Sequence, residues 1–456
     1  MHLRQILPIF LATALCACGD DPRSAAPGDA FSSSYSAPPA KPVLIRNATV
    51  LTGTGERLEN TDVLLADGKI DRIGRKLADP RDGTVIDASG KFVTPGIIDV
   101  HSHLGVYASP SVAAHSDGNE MSAPNTAEVW AEHSVWPQDP GFSTALAGGI
   151  TTMQILPGSA NLFGGRTVTV KNVFSTTVRG MKFPGAPYGL KMACGENPKR
   201  VYGSRGGAPS TRMGNVAGYR TAWIAASEYR DKLNAARDGN GEAPDRDLEL
   251  ETLAGVLNGD ILVHNHCYRA DEIATMLAIA DEFDYQITAF HHASEAYKVA
   301  DLLADKGVCA AMWADWWGFK MEAYDGVREN VPMVHAANAC AIVHSDSDIG
   351  IQRLNQEAAK ALAAGRRAGL EISDADALAW ITSNAAKALG IADQTGSLER
   401  GKMADVVVWD RSPFSVYSTA QHVFIDGVHA YDRTDASKQP VTDFALGTVR
   451  QPGVAQ

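Results

Sequence analysis

The sequence predicts an α/β protein: a (β/α)8 barrel of the TIM type, with a small β-sandwich domain built from both ends of the chain. Three observations support this. Strand-like and helical segments alternate in the middle of the chain, and strand-rich blocks lie near both termini. Histidine and carboxylate side chains stand at the ends of the central strand-like segments. Barrels of this type carry their chemistry at the carboxyl ends of the strands, so function is expected there.

Length and composition are those of a globular protein. The chain has 456 residues, of which 45% are hydrophobic and 21% charged, enough for one large and one smaller domain. The formal net charge of −12 does not provide the basic surface that binds nucleic acid, so no nucleic-acid partner is expected.

Residues 1–18 predict an export signal. Arg4 precedes the apolar residues 6–15, which are too short to span a bilayer stably but have the form of a signal peptide. This stretch ends in Cys16-Ala17-Cys18, which resembles a bacterial lipobox with Cys18 as the lipidated residue; an ordinary signal peptide cut nearby is the alternative. Either interpretation predicts an exported protein, and the first predicts a periplasmic or outer-surface lipoprotein that contacts a membrane only through its lipid anchor.

The remaining chain divides by composition and pattern. Residues 19–41 are rich in Ser, Ala, Pro and Asp and predict a flexible linker. Residues 42–92 and 395–434 consist of short strand-like runs separated by turns, which predicts one composite β-sandwich domain. Residues 93–394 are then the barrel, and residues 435–456 a tail.

Eight strand candidates lie in the barrel region, and the second and third have the weakest signal. In chain order they are residues 96–101, 150–155, 167–173, 189–194, 261–266, 286–292, 308–313 and 339–346. Helical patterns separate the later strands, at residues 270–282, 294–306, 355–368 and 374–389.

The first of these strands ends in His101-Ser102-His103. Side chains two residues apart on a strand point to the same face, which in a closed barrel is the interior. Two imidazoles aimed at one point form half of a metal site, although this pair alone is weak evidence for one.

Other strands also end in polar side chains: Lys191 on the fourth, His264 and His266 on the fifth, His291 and His292 on the sixth, and His344 and Asp346 on the eighth. Adjacent residues on a strand face opposite sides, so only one of His291 and His292 is expected to point inward. His292 shares a face with Gln286 and Thr288, which predicts His292 inward and His291 toward the helices. The members of the other two pairs, His264 with His266 and His344 with Asp346, share a face, so this rule does not show which member of each pair binds metal.

Several motifs together resemble the amidohydrolase superfamily of metal-dependent hydrolases. They are Pro-Gly-Ile-Ile-Asp-Val-His-Ser-His at 95–103, Gly-Ile-Thr-Thr at 149–152, His-Ser-Asp at 344–346, Gly-Ser-Leu-Glu-Arg-Gly-Lys-Met-Ala-Asp at 396–405 and Phe-Ile-Asp-Gly at 424–427. Leu-Pro-Gly-Ser-Ala-Asn at 156–161 and Gly-Glu-Asn-Pro-Lys at 195–199 resemble the branch related to imidazolonepropionase and Xaa-Pro dipeptidases. The resemblance covers nearly all of residues 42–433.

The resemblance implies two metal positions. His101 and His103 would hold the more buried ion together with Asp346, and His264 and His292 would hold the second. Zinc is the expected cofactor, as one or two divalent ions, with manganese or cobalt as alternatives.

The resemblance also implies a bridge between the two ions. Lys191, carboxylated on its amine, matches the bridging position, and Glu196 is a competing carboxylate; we prefer Lys191. His266 and His344 are expected to hydrogen-bond to the ligands rather than bind metal.

The implied activity is hydrolysis of amide C–N bonds, in dipeptides or N-acyl amino acids, by a metal-activated hydroxide. Asp346 would accept the proton of the attacking water and pass it to the leaving amine. Two alternatives remain: a mononuclear hydrolase of cyclic amides or imines, of the imidazolonepropionase type, and an exported binding protein without catalysis. Barrels of this family often assemble, so a homo-oligomer is expected.

Substrate specificity is expected in the loops that follow strands. The segment after the fourth strand carries Arg200, Tyr202 and Arg205, and arginine binds carboxylates through two parallel hydrogen bonds. An anionic substrate is therefore predicted, with a solvated charged loop as the alternative. The aromatic-rich segment after the seventh strand, which includes Trp316, predicts an apolar wall or lid, or a contact with a partner subunit.

Four cysteines lie outside the signal segment, each in or beside an apolar strand-like run: Cys194, Cys267, Cys309 and Cys340. An oxidising compartment permits a disulfide among them. Buried free thiols are the preferred prediction.

Overall fold

The computed structural model describes residues 31–439. The predicted signal segment with Cys18, the linker before residue 31 and the tail beyond residue 439 lie outside the described residues. Within the described range, no helix combines the length and the apolar character that crossing a membrane requires.

The strands in chain order are β1 (Val43–Leu51), β2 (Arg57–Ala66), β3 (Lys69–Gly74), β4 (Thr84–Asp87), β5 (Phe92–Pro95), β6 (Ile97–Ser102), β7 (Ile150–Ile155), β8 (Phe163–Lys171), β9 (Gly189–Ala193), β10 (Leu262–Cys267), β11 (Ala289–His292), β12 (Cys309–Met312), β13 (Cys340–Val343), β14 (Val406–Trp409), β15 (Ala420–Ile425) and β16 (Val428–Asp432).

The helices are α1 (Pro140–Ala147), α2 (Glu196–Gly203), α3 (Arg212–Arg237), α4 (Leu248–Leu257), α5 (Ala270–Phe283), α6 (Ala300–Lys306), α7 (Asn330–Ala336), α8 (Leu354–Arg367), α9 (Asp374–Ala379) and α10 (Ser383–Ala388). The helical pattern predicted at 374–389 is thus divided between α9 and α10. The segment after the fourth barrel strand, expected to be a loop, contains α2 and the start of α3.

Strands β6 to β13 form one eight-stranded sheet in chain order, curled into a nearly closed barrel. At the seam between its first and last strands, the backbone N–H of Asp346 donates to the carbonyl of His101 at 3.0 Å. The predicted α/β fold class, a TIM-like barrel, is confirmed. The seam brings the chain after β13 beside the end of β6.

Strand β8 departs from the predicted repeat because it runs antiparallel to both β7 and β9. Only residues 156–162 connect β7 to β8, and a parallel neighbour requires a crossover of about a dozen residues or more. Residues 172–188, between β8 and β9, contain no α-helix. The expectation of a strand followed by a helix eight times is therefore wrong at β7 and β8.

The two ends of the chain meet in a second sheet, with strand order β16-β15-β14-β5-β1-β2-β3 and β4 beside β1. Strand β14 is buried on both faces, as its sequence Val-Val-Val-Trp indicates. Val406 and Val408 pack in the core of this sheet, and Val407 and Trp409 pack in the core of the barrel. Residues 33–439 belong to one compact unit, so the boundaries between sandwich and barrel remain a prediction.

All four cysteines outside the signal segment form disulfides, so the prediction of free thiols is wrong. Cys194 and Cys267, at the ends of adjacent strands β9 and β10, have Cα atoms 5.2 Å apart. Cys309 and Cys340 are paired in register between β12 and β13, with Cα atoms 4.4 Å apart. The cysteines of each pair are 73 and 31 residues apart in sequence, and only the strand register brings them together.

Candidate metal centre

A cavity of about 270 Å³ opens at the carboxyl ends of the barrel strands. Its lining is mostly polar and combines imidazole, carboxylate, amide and cationic groups with two aromatic rings. The lining residues are His101, His103, Ser159, Glu196, Asn197, Arg200, His266, Tyr268, His292, Phe319, Lys320 and Asp346. Several of the polar residues predicted at the strand ends thus line one cavity.

The carboxylate of Asp346 lies between three imidazoles at the barrel seam. Its Oδ1 is 3.3 Å from Nε2 of His103 and 3.6 Å from Nε2 of His101, and its Oδ2 is 3.8 Å from Nδ1 of His292. Asp346 follows the end of β13 at a φ of +47°, held there by its backbone hydrogen bond to His101. The structure therefore brings four of the predicted ligands together.

Burial and neighbouring charges determine the protonation states in this group. Burial raises the pKa of Asp346, but the hydrogen bond from His103 and the electrostatic effects of His103, His344 and Lys191 together outweigh it, so the pKa lies below its ordinary value. Burial, with the charge of Lys191, lowers the pKa of His264 to about 3 and that of His101 well below its ordinary value. At neutral pH the carboxylate is charged and these imidazoles are neutral, which are the forms that bind metal.

Several buried nitrogen atoms in the centre fit a metal ion better than a hydrogen-bond network. Among the described residues, Nε2 of His264, Nδ1 of His292 and both ring nitrogens of His344 are buried without a hydrogen-bond partner. Buried polar atoms normally have partners, and imidazole with carboxylate is a donor set that zinc accepts. The residues present therefore fit a divalent ion.

Lys191 is fully buried on β9 and pairs in register with His264 on β10. Its Nζ is 3.4 Å from Nε2 of His101. Burial lowers the pKa of Lys191 to about 8, while Asp346 opposes this shift. The competing Glu196 instead lies 3.4 Å from Nζ of Lys320 at the cavity wall, so Lys191 is the better-placed candidate bridge.

Both histidines at the end of β11 reach the centre, and the prediction that His291 faces outward is wrong. The ring of His291 joins two predicted ligands: its Nδ1 is 2.8 Å from Nδ1 of His101, and its Nε2 is 2.9 Å from Nδ1 of His264. His292 has a φ of +68°, so it has left the extended conformation on which the parity rule depends. Its ring centroid lies 4.8 Å from that of His101.

The remaining strand-end histidines also differ from expectation. Ligand atoms of His344 lie within 4.8 Å of those of His101 and His292, so these three residues could hold an ion together, and neither ring nitrogen of His344 has a hydrogen-bond partner among the described residues. His264 belongs to neither of the two possible metal-binding groups that contain His101, and it contacts His101 only through the ring of His291. His266 lines the cavity, with Nε2 3.4 Å from the amide nitrogen of Asn197.

Asp99 is a buried carboxylate that the sequence analysis did not single out. It accepts hydrogen bonds from the backbone N–H of His101 at 3.1 Å, from that of Ser345 at 3.2 Å, and from the Ser345 hydroxyl. Burial raises its pKa to about 7. Asp99 therefore holds together the two chain segments that carry His101 and Asp346. In the sequence, its position as an acidic residue inside an apolar strand could have indicated this role.

Of the four predicted substrate-binding residues, Arg200 alone lines the cavity. The Tyr202 hydroxyl donates to the carbonyl of Ala123 at 2.6 Å, and Arg205 donates to that of Met121 at 3.0 Å. The reason is that residues 196–203 are helical, so residues 196, 197 and 200 share the face toward the cavity while the next positions turn away.

The aromatic segment after β12 contributes differently from expectation. Trp316 is 42% exposed and stacks on Trp313, whose ring in turn stacks on His292 at a centroid distance of 4.2 Å. Phe319 lines the cavity in its place. This segment therefore forms part of the cavity wall, but Trp316 is not the residue that lines it.

Lys320 is a cationic wall residue that the sequence analysis missed. Its Nζ lies 3.4 Å from Oε1 of Glu196, 3.2 Å from Oδ1 of Asn197 and 4.0 Å from the ring centre of Tyr268. Burial lowers the pKa of Lys320. Lys320 and Arg200 are thus two cationic side chains in the lining of the same cavity as the imidazoles.

Comparisons with known proteins identify the family to which the chain belongs. The model of the Amidohydrolase family matches residues 92–430. Amidohydrolase tasK from Hapsidospora irregularis is 33% identical over 94% of this chain, which spans about half (47%) of that relative. Imidazolonepropionase from Mesorhizobium japonicum is 24% identical over 73% of this chain and 81% of its own.

The crystal structure of an amidohydrolase from Thermotoga maritima MSB8 is also similar. It is 37% identical, covers 86% of this chain and 100% of its own, and superposes with a TM-score of 0.79. The family model covers most of the chain, and the relatives agree with it in sequence and in fold. The chain therefore belongs to the amidohydrolase family.

Proposed function

We propose that the protein is an exported, metal-dependent hydrolase of amide bonds in small anionic substrates, namely dipeptides or N-acyl amino acids. One observation carries this proposal: a single cavity is lined both by an imidazole–carboxylate donor group and by the cations Arg200 and Lys320. Such a cavity accommodates a substrate that presents an amide to the donor group and a carboxylate to the cationic wall.

The family generally uses divalent ions, and two groups would hold them here: His101, His292 and His344, and His101, His103 and Asp346. Lys191 and His264 are the further ligands that the family resemblance implies. A bound ion supplies Lewis acidity toward the amide carbonyl and makes a water acidic enough to attack near neutral pH. The chain supplies the proton transfer: the Asp346 carboxylate is charged at neutral pH and lies at the cavity surface. It accepts the proton of the attacking water and returns it to the leaving nitrogen.

The cationic wall would bind the substrate's carboxylate. Arg200 is exposed at the cavity and presents a planar group suited to two parallel hydrogen bonds with a carboxylate. Lys320 is held by Glu196 and Asn197, so its charge is partly balanced and its position is restricted. This arrangement favours Arg200 as the principal anion-binding residue.

A second candidate is a mononuclear hydrolase of cyclic amides or imines, which the relative named imidazolonepropionase favours. The two candidates differ in metal content. Protein expressed with bicarbonate is expected to show two ions in the barrel by anomalous scattering and a carboxylated Lys191 by intact mass. One ion with an unmodified lysine would instead support the cyclic-amide activity.

Turnover distinguishes the substrates directly. The metal-loaded protein is expected to hydrolyse dipeptides or N-acyl amino acids and to lose activity when the substrate's carboxylate is amidated. Hydrolysis of cyclic amides alone would contradict the proposal, and so would equal rates with the amidated substrates.

Export, a lipid anchor on Cys18 and a homo-oligomeric assembly are further parts of this proposal. The two disulfides support export, because such bonds persist chiefly in oxidising compartments. Membrane fractionation of the full chain against Cys18→Ser, with the apparent mass in solution, tests the anchor and the assembly. A full chain that remains in the aqueous fraction would contradict the anchor.

A further inference from the structure

A second group of imidazole and carboxylate side chains lies outside the barrel, on the hairpin formed by β15 and β16. His422 Nδ1 is 3.2 Å from His429 Nε2 and 3.3 Å from Asp432 Oδ2, and His429 Nε2 is 3.7 Å from the same oxygen. We propose that this hairpin group, His422, His429 and Asp432, is a zinc-type divalent metal site separate from the barrel centre.

The three donor atoms have the spacing that a tetrahedral ion requires. Bonds of about 2.0–2.1 Å to a tetrahedral zinc ion place neighbouring ligand atoms roughly 3.3–3.4 Å apart. The separations of 3.2, 3.3 and 3.7 Å bracket this value. A proton can join only one pair of the three atoms well, whereas an ion at the centre satisfies all three.

A β-bulge creates this arrangement. His422 pairs with Asp432 and Phe424 pairs with His429, with a one-residue shift of register between Val423 and Phe424. Residues three apart on a regular strand face opposite sides, so His429 and Asp432 would point apart without the shift. The bulge re-aims one side chain, and bulges often do so at functional sites.

Neighbouring contacts hold the donors in place. Oδ1 of Asp432 accepts hydrogen bonds from the backbone N–H and the hydroxyl of Thr434, at 2.9 and 2.8 Å, which leaves Oδ2 toward the imidazoles. The ring of His429 stacks on Phe424 at a centroid distance of 4.6 Å. Supporting contacts of this kind orient metal ligands in known sites.

The surroundings leave one position on the ion open to water and place the hairpin group away from the barrel cavity. The side chains of His422, His429 and Asp432 are 15%, 27% and 14% exposed, so water can supply a fourth ligand. The hairpin group lies outside the lining of the barrel cavity. An ion here would clip β15 to β16 across the edge of the sheet.

Zinc content is the first test. The full chain is dialysed against a small excess of zinc sulfate, desalted and analysed for metal, beside His429→Gln. The variant is expected to bind one ion fewer than the wild type. Asp435→Asn, which removes an exposed carboxylate near the same hairpin end but outside the donor group, is expected to retain the wild-type count. Equal counts in wild type and His429→Gln would overturn the proposal.

Anomalous scattering at the zinc edge provides a test that needs no variant. Crystals of the zinc-loaded full chain are expected to show a peak between the three donor atoms of the hairpin group. Peaks in the barrel without one at the hairpin would overturn this proposal and leave the proposed function intact. The reverse pattern would retain the hairpin site and contradict the metal-dependent activity.

Discussion

The barrel centre and the hairpin group use the same ligand chemistry in different surroundings. Each brings imidazoles to within 4.8 Å of an aspartate oxygen. At the barrel seam, the ligands include the fully buried His101, contact the buried Lys191 and face a cavity with cationic walls. At the hairpin, three partly exposed residues lie at a sheet edge. Donor type alone therefore indicates metal binding, whereas the surroundings decide whether a substrate can be bound and activated.

The largest expected effect is at Asp346, the carboxylate of the barrel centre. Asp346→Asn removes the carboxylate that accepts the proton, and turnover is expected to fall by about 10²–10⁴-fold or more, the contribution of a general base. Asp432→Asn is the matched change at the hairpin and is expected to leave turnover unchanged. Steady-state rates of the zinc-loaded variants check this, and equal losses in both would contradict the contrast.

The next effect concerns the predicted bridge. Lys191→Gln cannot be carboxylated, so the barrel is expected to bind one ion fewer, and turnover to fall by about 10²-fold or more because an activating ion is lost. The hairpin ion is expected to remain. Elemental analysis and mass spectrometry of the intact wild type, with and without acid treatment, check the count and the carboxyl group. An unchanged ion count in the variant would show that Lys191 is not the bridge.

His291 is expected to act as a positioning residue, since it joins His101 to His264 without facing the cavity. Removing such a support typically lowers metal affinity or activity by about 10–100-fold. His291→Phe retains the ring volume and removes both hydrogen bonds, so barrel zinc affinity measured against a competing chelator should fall. His291→Gln, which can restore one bond, should recover part of it. Unchanged zinc affinity in both variants would show that His291 only fills space and does not position the metal ligands.

The last effect, similar in size to that of His291, separates two arginines of one predicted segment. Arg200→Met is expected to raise KM for an anionic substrate about 10–100-fold, the worth of hydrogen bonds to a charged group. Its effect on the carboxyl-amidated analogue should be small. Arg205→Met is the matched control, because Arg205 binds the carbonyl of Met121 outside the cavity. Equal KM changes in the two variants would contradict the cationic-wall assignment.

The predictions from the sequence match the structure best where they depend on residues close together in the chain. Each of the eight barrel strand candidates overlaps an observed strand. His101, His103 and Asp346 meet at the barrel seam because strand ends carry the polar residues. The parity argument failed at His291 because it assumed an extended backbone, and the neighbouring His292 adopts a φ of +68°. A local pattern cannot reveal such a departure.

Other errors arise from contacts between distant segments. The helix α2 turned Tyr202 away from the cavity that Arg200 lines. Lys320 joins the wall through Glu196 and Asn197, more than a hundred residues away in sequence. Strand β8 is antiparallel to β7 and β9 because the connection from β7 is too short for a parallel crossover. The sequence pattern of β8 alone does not show which strands it pairs with.

The amino-acid sequence by itself determined the periodic elements, the family motifs and the ligand types, because these depend on residues close together in the chain. The tertiary structure decided which groups meet. Strand register pairs the cysteines into two disulfides, and a one-residue bulge turns His429 toward His422 and Asp432. The physical reason is that a shift of one residue in register moves a side chain to the opposite face of a sheet. Register is set by packing of the whole fold rather than by any single strand.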